Sequence, residues 1–241
     1  MAQGVAWCAR RLGVPCAVVV PDGAPRAKLD AVEALGARTI PVPFDRWWRV
    51  LSEGSYPGLE GRFVHPFADP DVIAGNATAG LEILEDAPDC DSILVPWGGG
   101  GLSCGIASAA REISPRTRVF AAEADTAAPL HAAFAAGAPV RVERRPSFVD
   151  GIGSSAVMEE MWPLASRLLA GSVTVSLGEI ADAIRRLAAS ARVVAEGAGA
   201  APVAAALGEN APAGKIVCVV SGGVIDAAAL AEILRGATPG P

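Results

Sequence analysis

Apolar runs of three to five residues alternate with longer segments of helical character along most of the chain. The short runs predict strands over residues 16–20, 39–42, 63–65, 92–96, 118–122, 173–175 and 216–220. The longer segments predict helices over residues 2–12, 25–35, 71–86, 102–113, 126–137, 156–170, 178–193 and 199–207, and a last one from 226. Such alternation is typical of an α/β protein with open, mostly parallel sheets covered by helices.

The alternation breaks over residues 45–61, which contain a tryptophan pair and several Gly and Pro residues without a continuous period. It resumes after Asp69 and Pro70, which are typical of the cap and the first position of a helix. We interpret the break as part of a crossover between domains. The predicted division is a small domain over 1–66, a large domain over 67–236 and a tail over 237–241.

A run of four glycines is the most informative local feature. Residues 92–96 form a short apolar run, Gly98 to Gly101 follow, and an apolar helix is predicted from Leu102. Glycine lets the backbone bend sharply, and the start of the helix offers free N–H groups and a positive dipole end. The pattern therefore predicts a phosphate-binding loop, with a plain strand-to-helix turn as the alternative.

A dinucleotide site is a second interpretation of this segment. Glu123 lies about twenty residues further on, where a dinucleotide-binding fold places its ribose-binding acid. However, no register of residues 98–105 gives the G-x-G-x-x-G spacing. An NAD-dependent oxidoreductase is therefore the weaker hypothesis.

A second strand, predicted over 216–220, runs into Ser221, Gly222 and Gly223. Ligands of open parallel sheets bind beyond the carboxyl ends of the strands, and both glycine-containing loops follow such ends. A hydroxyl there has the geometry to donate to a ring nitrogen of a ligand. A turn or helix-capping serine is the alternative.

Composition excludes several classes of protein. The formal net charge is −6 and no basic cluster exceeds a pair, so we expect no nucleic-acid partner. The apolar stretches are too short to cross a bilayer, and Met1 leads into no signal-peptide pattern. Five scattered cysteines without a C-x-x-C motif predict a cytoplasmic protein. The two histidines, His65 and His131, support no metal site.

In order along the chain, several segments resemble the fold-type II pyridoxal-phosphate enzymes of the threonine/serine dehydratase and serine racemase group. The resembling segments are residues 2–6, 24–28, 65–67, 95–102, 196–200 and 221–223. The resemblance implies a tryptophan-synthase-β-like fold with pyridoxal 5'-phosphate in a cleft. It also implies β-elimination or racemisation of small hydroxy amino acids, and a family in which homodimers are common.

The resemblance assigns roles to particular residues. It implies that Gly98, Gly99, Gly100, Gly101 and Leu102 bind the cofactor phosphate and that Ser221 faces the pyridine nitrogen. It also suggests a cleft position for Phe67, Asp150, Gly151, Glu196 and Gly222. A simple turn at Asp150 and a capping or solvated acid at Glu196 are the alternatives.

The sequence departs from the family pattern in ways that bear on activity. The Schiff-base lysine and the Asn-bearing substrate loop of the family precede the segment that matches Ala2, and neither Lys28 nor Lys215 aligns with that lysine. We therefore expect an N-terminally incomplete chain without a catalytic residue and without activity of its own. A non-catalytic cofactor- or phosphate-binding relic or interaction module is the alternative.

Three single positions also depart from the pattern. Val224 replaces an Asn, and Gly197 replaces a Pro. Pro129 stands where a partner acid for Glu123 is expected in members that bind a metal, so we expect no metal site.

Overall fold

A computed structural model gives the fold and describes residues 1–240. The chain forms two compact units. The first contains Met1–Pro66 with Val224–Asp226, and the second contains Phe67–Gly223 with the chain from Ala227 onward. The division predicted from the sequence, into a small domain, a large domain and a tail, stays a prediction.

The first unit is a small β–α–β layer with two further helices. Its elements are α1 (Ala2–Leu12), β1 (Ala17–Pro21), α2 (Arg26–Ala34), β2 (Arg38–Val42) and α3 (Phe44–Glu53). Strands β1 and β2 pair in parallel with Val19 opposite Ile40. A small core forms around Ala6, Val32 and Ala37. The N–H of Ala27 donates to Asp226 Oδ1 at 3.3 Å, which attaches the returning segment to α2.

The structure differs from the prediction in two places over residues 45–65. Helix α3 begins at Phe44 and covers residues 45–53 of the stretch for which no helix or strand was predicted. Its apolar residues Phe44, Trp47 and Leu51 recur at intervals of three and four, and the helix ends at Gly54 in a left-handed conformation. The strand predicted over 63–65 does not form, since the sheet of this unit has only β1 and β2 within the described residues.

The second unit holds a four-stranded sheet with strand order β5-β4-β3-β6, in which every pair is parallel. Its elements are α4 (Pro70–Asp86), β3 (Ser92–Pro96), α5 (Gly101–Ile113), β4 (Arg118–Ala124), α6 (Pro129–Ala136), α7 (Trp162–Leu168), β5 (Gly171–Val175), α8 (Leu177–Arg186), α9 (Gly197–Leu207), β6 (Ile216–Cys218) and α10 (Ala227–Leu234). The predicted fold class, an α/β protein with parallel sheets and helices, is confirmed.

Strand β3 lies inside the sheet and is buried over its whole length. Ile93 and Val95 belong to a core cluster that includes residues of α4, α5, α6 and α7. Since side chains alternate along a strand, Leu94 faces the other side of the sheet, where α9 packs on the strands. Helices therefore cover both faces, and the edge at the carboxyl ends of the strands stays available for a site.

Several boundaries differ from the prediction. The helix expected over 156–170 is reduced to α7, and the strand expected over 216–220 is reduced to β6. The helix expected over 178–193 is α8, which continues as a π-helical turn over Leu187–Ala191. No helix within residues 1–240 combines the length and the apolar character that crossing a bilayer requires.

Candidate functional site

The two glycine-containing loops lie at the same edge of the sheet. Strands β3 and β6 are parallel neighbours, and Leu94 pairs with Cys218 near their carboxyl ends. Gly98 follows β3 and Ser221 follows β6 by similar distances along the chain. The sheet topology thus brings together two segments that the sequence separates widely.

The loop after β3 is fixed at both ends. The N–H of Trp97 donates to Ala122 O on β4 at 2.9 Å, and Ser103 Oγ on α5 donates back to Pro96 O at 3.1 Å. The first hydrogen bond of α5 runs from Cys104 N to Gly100 O at 2.8 Å. The N–H groups of residues 101–103 precede that bond and have no acceptor within the helix, so they are available to an anion.

Neighbouring residues leave no space for a side chain at three positions of the glycine run. A Cβ at Gly99 would overlap the ring of Phe67, and a Cβ at Gly100 would overlap the indole of Trp97. A Cβ at Gly101 would lie 2.8 Å from the Phe67 backbone. Gly100 also has a φ of +94°, which side chains rarely adopt. The loop is therefore a glycine backbone that packs directly against two aromatic residues.

A second loop closes on the first. A Cβ at Gly98 would lie 3.2 Å from Gly151 O, so the backbone after Asp150 packs directly against the glycine run. Arg144 Nε donates to Gly153 O at 3.0 Å, and Val142 N donates to Ser155 O at 2.8 Å. These bonds tie residues 142–155 into a closed loop, which we call the 142–155 loop.

The start of α9 completes the cluster. Glu196 N donates to Gly222 O at 3.0 Å, and the Glu196 carboxylate occupies the space that a Cβ at Gly222 would need. Gly197, the first residue of α9, lies against Val149 of the 142–155 loop. A Cβ at Gly197 would lie 2.8 Å from Val149 Cγ2. Ser221 is exposed beside Gly222.

Comparison with known proteins decides the family. A family model described as "Pyridoxal-phosphate dependent enzyme" matches residues 1–222. The chain belongs to the pyridoxal-phosphate-dependent enzyme family. The resemblance, fold type and cofactor predicted from the sequence are confirmed.

Relatives of this pyridoxal-phosphate family member are threonine ammonia-lyases and dehydratases by name. It is 39% identical over 238 residues to an L-threonine ammonia-lyase of Thermotoga maritima, covering 97% of this chain and 59% of that protein. It is 35% identical to the catabolic L-threonine dehydratase TdcB of Escherichia coli, covering 96% of this chain and 72% of that protein. The chain thus spans about three fifths of the length of the Thermotoga relative.

Solved structures agree with this family assignment. The processed form of threonine deaminase isoform 2 from Solanum lycopersicum superposes with a TM-score of 0.83 at 30% identity, covering 98% of this chain and 71% of that one. A maize serine racemase superposes with a TM-score of 0.84 at 31% identity, covering 97% and 73%.

The residues of the loop fit the family's cofactor. Pyridoxal 5'-phosphate has a phosphate dianion and a flat pyridine ring. The amides of residues 101–103 and the dipole of α5 suit the phosphate, and the glycine run adds no side chain of its own beside these amides. The individual roles of Ser221 and Glu196 in this site stay predictions.

Glu123 has a different role from the two considered for it. Its side chain is 1% exposed and accepts hydrogen bonds from Leu130 N at 2.9 Å, His131 N at 2.8 Å and Ser172 Oγ at 2.5 Å. Burial raises the pKa of the Glu123 carboxyl above its ordinary value, against the opposing effect of these donors. The carboxyl holds the start of α6 to β4 and β5 and is enclosed, so it does not present itself to a ribose.

Neither lysine belongs to the loops at this edge of the sheet. Lys215 precedes β6, so it lies at the amino ends of the strands, opposite the glycine run. There its Nζ pairs with Asp89 and its N–H donates to Asp91 Oδ2 at 2.7 Å. Lys28 lies in α2 of the first unit. No group of three or more potential metal ligands occurs among residues 1–240.

Two supporting residues of the site are not among the site residues predicted from the sequence. Ser103 closes the loop through Pro96 O, and Trp97 fills the space behind Gly100. A tryptophan directly before a glycine run is the available signal for Trp97, since it places the largest side chain next to the smallest. No sequence signal distinguishes Ser103 from an ordinary helix serine.

Proposed function

We propose that this chain provides the cofactor site of a pyridoxal-phosphate-dependent ammonia-lyase that converts threonine or serine to a 2-oxo acid and ammonia. The observation that supports this most is the glycine run, whose Cβ positions are filled by Phe67 and Trp97 while the amides at the start of α5 stay free. The names and identities of the relatives support the substrate class.

Each part of the site has a proposed task. The amides of residues 101–103 bind the phosphate, and the 142–155 loop supports the glycine run beside Gly151. The Ser221 hydroxyl hydrogen-bonds the pyridine nitrogen and leaves it unprotonated. The bound cofactor supplies an electron sink for negative charge that develops at the substrate Cα. Glu196 borders the ring from the start of α9.

Catalysis also needs an amine that takes the proton from the substrate Cα, and we propose that this chain does not supply it. Lys215 lies at the opposite edge of the sheet and pairs with Asp89. We therefore expect cofactor binding without turnover from the chain alone. This same observation favours a second candidate, a non-catalytic cofactor-binding module.

The proposed cellular location and oligomeric state rest on two further observations. We propose a cytoplasmic location because all five cysteines are free, as is usual in a reducing compartment. We propose a homodimer on the basis of the family resemblance alone.

The proposal is tested by binding of pyridoxal 5'-phosphate and of pyridoxal, which lacks the phosphate, to the 241-residue chain in equilibrium dialysis. We expect the phosphorylated form to bind more tightly by at least about tenfold, and Gly101→Ala to remove this preference. A Cβ at Gly101 meets the Phe67 backbone, whereas one at Gly75 on α4 meets nothing within 4 Å, so Gly75→Ala is the matched control. Equal binding of both compounds by the unmodified chain would refute the proposal.

A further inference from the structure

Trp97 links the sheet to the glycine run. It is the first residue after β3, and its N–H extends the pairing of β3 with β4 through Ala122 O. Its side chain is only 1% exposed and belongs to the large core cluster. The main chain and the ring of Trp97 are therefore both fixed by the core of the second unit.

The ring of Trp97 lies against Gly100. A Cβ built on Gly100 would overlap Cη2 and Cζ3 of the indole and would lie 3.1 Å from Cζ2. Gly100 is the N-cap of α5 and has a φ of +94°. Glycine samples backbone conformations more freely than any other residue, so a run of four would be mobile without a rigid neighbour. At Gly100 the indole is that neighbour.

The indole is held for its shape. Its Nε1 is buried and has no hydrogen-bond partner. A buried donor without an acceptor is destabilising, so hydrogen bonding does not explain a tryptophan at this position. A large flat side chain that fills the space behind Gly100 does.

We propose that Trp97 is a positioning residue for phosphate binding. Its ring supports Gly100 from the core side, fixes the backbone at the N-cap of α5 and so directs the amides of residues 101–103 towards one point. Preorganised amide dipoles bind an anion without the cost of ordering them at the moment of binding. The inference rests on the proposed function, because it assumes that these amides hold the cofactor phosphate.

The proposal makes Trp97 a determinant of preference for the phosphorylated cofactor. Trp97→Leu is expected to lower the affinity for pyridoxal 5'-phosphate by about tenfold and to leave the affinity for pyridoxal within about twofold. Trp97→Phe keeps a flat ring and removes the unpaired N–H, so it is expected to retain the preference. A residue that served only the stability of the core would change both affinities together.

Trp162 provides the matched control. It begins α7, packs edge-on against Phe134 with ring centroids 5.6 Å apart, and contacts the same core cluster as Trp97. Trp162→Leu is expected to lower the thermal midpoint of unfolding and to leave the ratio of the two affinities unchanged.

The experiment measures both affinities by equilibrium dialysis for the unmodified chain, Trp97→Leu, Trp97→Phe and Trp162→Leu. A tenfold loss confined to pyridoxal 5'-phosphate and to Trp97→Leu supports the proposal. An unchanged preference in Trp97→Leu overturns it while the proposed function stands. An unmodified chain with no preference overturns both.

A second measurement covers the case in which Trp97→Leu does not fold. Inorganic phosphate is titrated into the unmodified chain, Trp97→Phe and Trp162→Phe while tryptophan fluorescence is recorded. We expect a change in emission that persists in Trp162→Phe and disappears in Trp97→Phe. An equal change in both variants, or phosphate binding without any change, overturns the proposal.

Discussion

At the scale of single residues, the candidate site depends on glycines whose neighbours leave no space for a side chain. Gly99 and Gly101 face Phe67, and Gly100 faces Trp97, so each of these positions is closed by an aromatic residue. Conformational freedom matters at Gly100, but volume matters at all three. Substitutions in the loop are therefore expected to act through displacement of its neighbours.

Ser221 allows the ring contact to be tested apart from the phosphate contact. Ser221→Ala removes one hydroxyl and is expected to weaken binding by about 0.5–1.5 kcal/mol. Because pyridoxal and its phosphate share the pyridine nitrogen, equilibrium dialysis should show the same loss for both. Ser108→Ala, on the same unit in α5, is the control. Full affinity in Ser221→Ala would exclude the proposed contact.

Glu123 gives a prediction about stability. The two carboxylate oxygens of Glu123 accept three hydrogen bonds, from Leu130 N, His131 N and Ser172 Oγ. Glu123→Gln leaves only one oxygen to accept them. An unpaired buried donor costs about 1–3 kcal/mol, and urea unfolding should show a loss of that size. Unchanged stability would contradict the role of Glu123 in holding α6.

The same carboxyl sets a pH dependence. Because burial raises its folded pKa above the ordinary 4.5, the folded state keeps a proton that the unfolded chain has lost as the pH rises from 4.5. The unmodified chain therefore loses stability across the interval up to the folded pKa, and Glu123→Gln lacks this contribution. The difference in unfolding free energy between the unmodified chain and Glu123→Gln should therefore shrink as the pH rises. A growing difference would show that the folded pKa of Glu123 is lowered.

At the scale of elements, burial and spacing explain what could be predicted. Strand β3 and helix α5 follow from a buried apolar run and a glycine turn, and both lie within a residue of the prediction. The helix α3 is not evident from the sequence because Gly and Pro residues after it hide its apolar spacing. The apolar run over 63–65 forms no strand, since a strand needs a partner that local sequence does not reveal.

The sequence predicts the loops of the candidate site but not the residues that support them. The glycine run and Ser221 follow strands, so the topology of a parallel sheet places them at one edge. The supports of the loop are not predictable, because Trp97 and Ser103 act through contacts that depend on the packed core. Local pattern locates the candidate site, and packing determines how the loop is held.

The 142–155 loop gives a prediction at this scale. Arg144→Met removes the hydrogen bond to Gly153 O and should loosen the loop by about 0.5–1.5 kcal/mol. Hydrogen exchange at the Val142 amide, which donates to Ser155 O, should then be faster. Arg141→Met changes the same exposed segment and should leave this exchange rate unchanged. Equal rates in both variants would exclude Arg144 as a support of the loop.

At the scale of the whole molecule, the distribution of lysines predicts binding without turnover. Incubation with pyridoxal 5'-phosphate, borohydride reduction and peptide mass spectrometry should find no stoichiometric adduct at Lys28 or Lys215. Assays with threonine and serine should detect no 2-oxo acid. A single adduct together with product formation would show that a lysine at a new position performs the chemistry.

The pairing of β3 with β6 has a consequence for the order of events during synthesis. The two strands that carry the candidate site are neighbours in space, yet β6 follows β3 by about 120 residues, so closing this contact costs more chain entropy than closing any hairpin. Synthesis delivers the glycine run, Trp97 and α5 well before Ser221. The segment proposed to bind the phosphate is therefore synthesised before the segment proposed to contact the ring.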